Sequence, residues 1–137
     1  MSDEQADASY DRQLLLAGVK RNAVLTLEEV WRYGRDSFGD ADYVSVYGMR
    51  PAEWYAAGVR LLGRTAVECT RDALAAAMAN DIATIAGSAP TMRPAVLVDP
   101  FLGSGNTLPW ILRCLRGALG RGLGLEPASV GLPRHNP

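Results

Sequence analysis

The sequence predicts an α/β chain, and three observations carry that reading. An apolar run, Ala95-Val96-Leu97-Val98, lies between Pro90 and Pro94 on one side and Asp99-Pro100 on the other. A short apolar run between turn formers reads as a strand buried on both faces, and proline, which lacks a backbone donor, ends it. A turn, Gly103-Ser104-Gly105-Asn106-Thr107, comes next, and from Trp110 to Leu119 apolar residues recur at helical spacing. Gly117, Gly120 and Gly122 stop that helix, and Leu123-Gly124-Leu125-Glu126 reads as a second short strand ending in a carboxylate. Strand, glycine turn, helix, strand and acid make half of a nucleotide-binding βαβ unit.

The elements before this unit read as mainly helical. Residues 1–12 carry Asp3, Glu4, Asp7 and Asp11 and read as a solvated, disordered arm. Leu14 to Val19 opens a short helix that docks its leucines. Thr26-Leu27-Glu28-Glu29 has the capping-box arrangement and starts a helix to about Arg35, followed by a loop over Ser37 to Asp42. Tyr43-Val44-Ser45-Val46-Tyr47 alternates as a short strand would. Pro51 suits the first position of a helix reaching about Arg64, and Thr65-Ala66-Val67-Glu68 is a second capping box. An alanine-rich helix then runs to about Ala86, with Leu74, Met78, Ile82 and Ile85 spaced as a core-facing stripe. The chain thus divides into an arm (1–12), a mainly helical part (13–90) and a partial Rossmann-like unit (91–137).

Composition bounds the function classes. The 137 residues are 48% hydrophobic and 21% charged with a net charge of −1, which fits a globular domain and gives no global basic field for nucleic acid. Cys69 and Cys114 match no metal spacing and read as buried helical thiols in a reducing, cytoplasmic setting. The acidic stretch Met1 to Asp11 is unlike a signal peptide, and no run approaches a membrane span. His135, the single histidine, reads as solvated, so no Ser-His-Asp set is available.

The details of the glycine turn narrow its ligand. No lysine follows the last glycine, so a P-loop is excluded. Leu108 stands where a dinucleotide fingerprint needs its third glycine. Asp99 would repel a pyrophosphate and meet a cationic or hydrogen-donating ligand, and Glu126 is placed to accept from both hydroxyls of a ribose. Asn106 or Thr107 can cap the helix, and Pro109 suits its first turn. A nucleoside that carries an amino acid and no phosphate fits both acids, which describes S-adenosylmethionine.

The run Val98-Asp99-Pro100-Phe101-Leu102-Gly103-Ser104-Gly105-Asn106-Thr107-Leu108 resembles the cofactor motif of S-adenosylmethionine-dependent methyltransferases, in the form found in DNA amino-methyltransferases (adenine-N6 and cytosine-N4). The resemblance implies a partial Rossmann-like class I methyltransferase fold after an N-terminal helical region. It implies that Asp99, Pro100, Phe101, Gly103, Ser104 and Gly105 form the methionine-side loop, that Thr107 caps its helix and that Glu126 holds the ribose. It also implies S-adenosyl-L-methionine as cofactor, an amino group of a nucleic-acid base as acceptor, DNA as partner and no metal. Arg50-Pro51 loosely resembles a Lys-Pro segment of a permuted branch of that family, but also suits a proline-started surface helix.

Departures from the family matter as much. Its Pro-Pro-aromatic loop, which holds the target amine, has no counterpart, since the chain contains no Pro-Pro pair. No catalytic residue is therefore assigned. Pro127 to Pro137 shows no helical period where a further helix is expected. These departures suggest a truncated or degenerate copy, or one partner of a split enzyme whose second chain supplies the substrate half. The reading of a different class is a non-catalytic remnant or interaction module that keeps only the cofactor-binding half. Trp31, Tyr33, Tyr43, Tyr47, Trp54 and Tyr55, beside Arg32, Arg35 and Arg50, could stack on unpaired bases, although aromatics at such spacing are ordinarily core. Arg113, Arg116 and Arg121 read as a solvated face.

Overall fold

In a computed structural model, the structure describes residues 9–88, 96–115 and 117–124. Six helices and two strands follow in the order α1 (Arg12–Leu16), α2 (Leu27–Phe38), α3 (Pro51–Ala56), α4 (Gly63–Glu68), α5 (Asp72–Ser88), β1 (Val96–Asp99), α6 (Thr107–Cys114) and β2 (Leu119–Gly122) among those residues. The chain is thus a mixed helix and strand structure with a small two-stranded parallel sheet.

The helical part is organised by its caps. Asp11 caps α1, its side chain accepting from the Leu14 N–H, and this places Leu15 in the core with no exposed surface. The capping box of α2 forms as the sequence predicts. Thr26 Oγ1 accepts from the Glu29 N–H at 3.2 Å, and Glu29 Oε2 accepts from the Thr26 N–H at 2.8 Å. Helix α2 continues through Ser37 and Phe38, beyond the expected loop boundary, until Gly39 closes it in the left-handed region at φ +69°. Tyr43 to Tyr47 does not form a strand. Its alternation is nevertheless real, because Val44 and Val46 are buried while their neighbours are half-exposed. Burial holds this segment together with hydrogen bonds, among them one from Trp54 Nε1, which donates to the Val44 carbonyl at 2.8 Å. Leu15, Leu25, Val30, Tyr33, Trp54 and Leu61 complete the same core.

Three helical expectations are corrected. The helix beginning at Pro51 ends at Ala56 rather than near Arg64, because Gly58 turns the chain left-handed at φ +91°. Thr65 does not start a helix; it is buried inside α4, whose N-cap is Leu62. The helix from Thr65 to Ala86 is interrupted at Cys69, whose ψ of 141° is extended, before α5 restarts at Asp72. The apolar stripe of α5 is also not core. Leu74, Met78 and Ile85 are exposed, whereas Ala75 and Ala79 have no exposed surface. Helix α5 packs on α6 through its small face, and Ile82 of the predicted stripe is the member packed against this second core of Ala79, Ile111 and Leu115.

The second strand is corrected in register. It occupies Leu119–Gly122, and Leu123-Gly124 lie just past it; the remainder of the expected strand, Leu125-Glu126, lies outside the described residues. Gly120 and Gly122 therefore do not stop a helix. They are inward strand positions where a Cβ would run into Leu108 and Leu112, or into Leu102. Val96 pairs with Leu119, and Asp99 with Gly122, in parallel. A parallel pair needs a crossover, and α6 provides it. Leu97 faces the helices, while Val96, Val98 and Leu119 stand exposed on the opposite face of the sheet.

Candidate functional site

The glycine turn leaves the C-terminal end of β1 and enters α6, the position where ligands collect in open α/β sheets. Asp99 accepts from the Phe101 N–H at 2.9 Å, closing the first bend. The Leu123 N–H donates to the Asp99 carbonyl at 2.8 Å and the Leu102 N–H donates to the Leu123 carbonyl at 2.9 Å, which extends the strand pairing into the loop. Gly103 and Gly105 take φ +52° and +75°, conformations that L side chains disfavour. A Cβ on Gly103 would meet only the Phe101 carbonyl oxygen at 3.9 Å, so the space beside it is open.

A polar clasp from the helical part holds the far side of this loop. Asn106 is buried, 1% exposed, and its side chain makes three hydrogen bonds. Its Oδ1 accepts from the Tyr47 N–H at 2.6 Å, and its Nδ2 donates to the Thr70 carbonyl at 2.7 Å and to Asp72 Oδ1 at 3.0 Å. Trp110 Nε1 also donates to Asp72 Oδ1, at 3.0 Å, and the Gly48 N–H donates to Asp72 Oδ2 at 2.9 Å. The Tyr47 hydroxyl donates to the Ser104 carbonyl. Burial, and then the nearby Cys69 and Asp72, push the Tyr47 phenol up to about 12, so it remains a donor at neutral pH. Tyr47 itself sits at φ +58°, a strained conformation for a non-glycine residue that the clasp enforces.

Between this loop and α4 lies a cleft of about 260 Å³, lined on one side by Pro100 to Ser104 and on the other by Arg64, Thr65, Glu68 and Cys69. Burial pushes the Cys69 thiol up to about 12, and the Sγ donates to the Ala66 carbonyl at 3.6 Å. It is therefore a neutral wall of the cleft and not a nucleophile. Among the described residues no group of histidines, cysteines and acids could hold a metal ion, and no helix is long and apolar enough to cross a membrane.

The structure brings together seven of the eight residues singled out by sequence. Asp99 is half-exposed at the strand end, Pro100 and Phe101 are exposed, Ser104 and Gly105 are buried in the turn, and Gly103 is exposed at its bend. Thr107 is the first residue of α6 and not its cap. The cap position belongs to Asn106, whose side chain makes no capping bond because it is committed to the clasp. Glu126 lies outside the described residues. Sequence reasoning missed the roles of Tyr47, Asp72 and Asn106. Alternation makes Tyr47 a strand end and the turn makes Asn106 a cap, and nothing in the spacing ties position 106 to position 72. Comparison with protein-family models, with curated proteins and with solved structures finds no match for this chain.

Proposed function

We propose that the chain binds S-adenosylmethionine in the cleft beside the Asp99–Gly105 loop, as the cofactor-binding unit of a methyltransferase acting on an amino group of a nucleic-acid base. The observation that carries the reading is a parallel β–loop–α–β unit with two left-handed glycines, opening on a cleft at the end of its first strand. The chemistry of the lining fits the amino-acid end of the cofactor. Glu68 offers an anion across from the glycine loop, complementary to an ammonium. Asp99, with one oxygen accepting from Phe101, retains acceptor capacity for a donor on the ligand. The expected ribose acid is Glu126. When bound, the cofactor would supply an electrophilic methyl group; the residues of this chain would orient it and shield it from water.

The exposed apolar face of the two-stranded sheet, formed by Val96, Val98 and Leu119, favours the companion reading of a cofactor-binding half that works with a separately supplied substrate half. The partial Rossmann-like fold and the division into a helical part and a cofactor unit belong to the same proposal.

Calorimetric titration of S-adenosylmethionine and S-adenosylhomocysteine tests it. Micromolar binding that is lost in Asp99→Ala and in Glu126→Ala is the expected result. Absence of binding by a cooperatively folded chain would overturn it.

A further inference from the structure

A second cleft, of about 230 Å³, lies on the helical part and shares only the Cys69 wall with the first. Its walls carry two cations, Arg12 and Arg71, and three aromatic rings, Tyr33, Phe38 and Tyr43. The rings form a continuous surface. Phe38 stacks on Tyr43 with centroids 3.4 Å apart and planes 4° from parallel, and meets Tyr33 edge-on at 5.6 Å. The Arg71 guanidinium lies 4.1 Å from the centroid of the Tyr43 ring. Phe38 is half-exposed although it is a large apolar ring.

The cleft joins charge to aromatic surface. Four other basic residues, Lys20, Arg32, Arg35 and Arg50, are paired with Glu29, Asp36, Glu28 and Glu53. Among the described residues neither Arg12 nor Arg71 forms an ion pair. Both act on the same point, since each pulls back the upward shift that burial, Tyr43 and Cys69 impose on the Tyr33 phenol. The nearby acids each have their own hydrogen-bond donors: Asp11 has the Leu14 N–H, Asp36 has Arg32 and the Tyr10 N–H, Asp40 has the Asp42 N–H, and Asp72 has the clasp. Two guanidinium groups beside an aromatic wall match a ligand that is both planar and anionic.

We infer that the cleft between Arg12, Arg71 and the Tyr33–Phe38–Tyr43 wall is a binding site for a nucleotide unit, its base lying against the aromatic wall and its phosphate drawn by the guanidinium groups at the rim. A nucleoside alone would lack the charge contact, and inorganic phosphate alone would lack the stacking surface. The site does not depend on cofactor binding, and the proposal holds or fails independently of it.

The test is titration of the full chain, without S-adenosylmethionine, by adenosine monophosphate, adenosine and inorganic phosphate, with a short single-stranded oligonucleotide as a further arm. The nucleotide is expected to bind at least about tenfold more tightly than either the nucleoside or phosphate, and Arg12→Gln or Arg71→Gln to weaken it about tenfold without a change in melting temperature. Phe38→Leu, at a half-exposed position, is expected to keep the fold and lose the preference of nucleotide over phosphate. Tighter binding of the oligonucleotide would assign the unit to a polymer, and equal binding to a free nucleotide. Nucleotide binding that survives both arginine variants, or no nucleotide binding by the folded chain, would overturn the proposal.

Discussion

The two cores of this protein are built to different standards. In the helical part, Leu15, Val30, Val46 and Trp54 have no exposed surface, and every helix entrance from α1 to α3 carries a cap or a starting proline. Where the β–loop–α–β unit meets α5 the core contains Ala79, Ile111 and Leu115, and Val96, Val98 and Leu119 remain exposed on the outer sheet face. A sheet that carries apolar residues on both faces is buried on both in a complete α/β protein. The core around Trp54 is closed, whereas the β–loop–α–β unit rests on the helical part through α5 and through the buried polar junction centred on Asn106.

The largest effect should therefore come from the closed core. Trp54→Ala removes a buried indole and its bond to Val44, and a loss of about 3–5 kcal/mol in chemical denaturation is expected. Next is the junction. Asn106→Ala leaves the Tyr47 N–H, the Thr70 carbonyl and Asp72 without that partner, and about 2–4 kcal/mol should be lost. If the junction is what joins the two regions, hydrogen exchange in this variant will rise over Val96–Gly122 more than over Leu15–Tyr33; a uniform rise would break the comparison. Ile111→Ala, in the looser core, should cost about 2 kcal/mol, at the low end for such truncations. Val98→Thr or Ile85→Gln, on the exposed faces, should change stability by no more than about 0.5 kcal/mol.

A further effect concerns acid. Burial alone would raise the Glu29 carboxyl, but hydrogen bonds from Lys20, the Thr26 N–H and Tyr10 prevail and lower it to about 2 from 4.5. A carboxyl with a lowered folded value contributes stability above its unfolded value, and that contribution is lost as pH falls from about 4.5 toward 2. Melting temperature measured over that window should fall more steeply in the parent chain than in Glu29→Gln.

How much was legible in the sequence follows the same division. Local signals held where the chemistry is local: the Thr26 capping box, the proline start at Pro51, and the strand, glycine turn and helix from Val96 to Cys114. They failed where tertiary packing decides. The α5 stripe of Leu74, Met78 and Ile85 has the period of a core face, yet the alanine face packs because α6 lies close against it. Gly120 and Gly122 look like helix breakers, but they are glycine because Leu108, Leu112 and Leu102 occupy the space of a Cβ. In the candidate site, the loop residues were readable because their backbone conformations require glycine. The clasp was not, because hydrogen bonds that join positions 47, 72 and 106 leave no periodic trace.

The central claim, that the Asp99–Gly105 loop binds S-adenosylmethionine, is tested most directly by amide chemical-shift mapping on the isotopically labelled chain titrated with S-adenosylhomocysteine. Saturable shifts are expected at Phe101, Gly103, Ser104 and Gly105, and at Thr65 and Glu68 across the cleft, with Leu15 and Val30 unmoved. A folded spectrum in which those loop amides do not respond, or in which only the Tyr33–Tyr43 region responds, would contradict it.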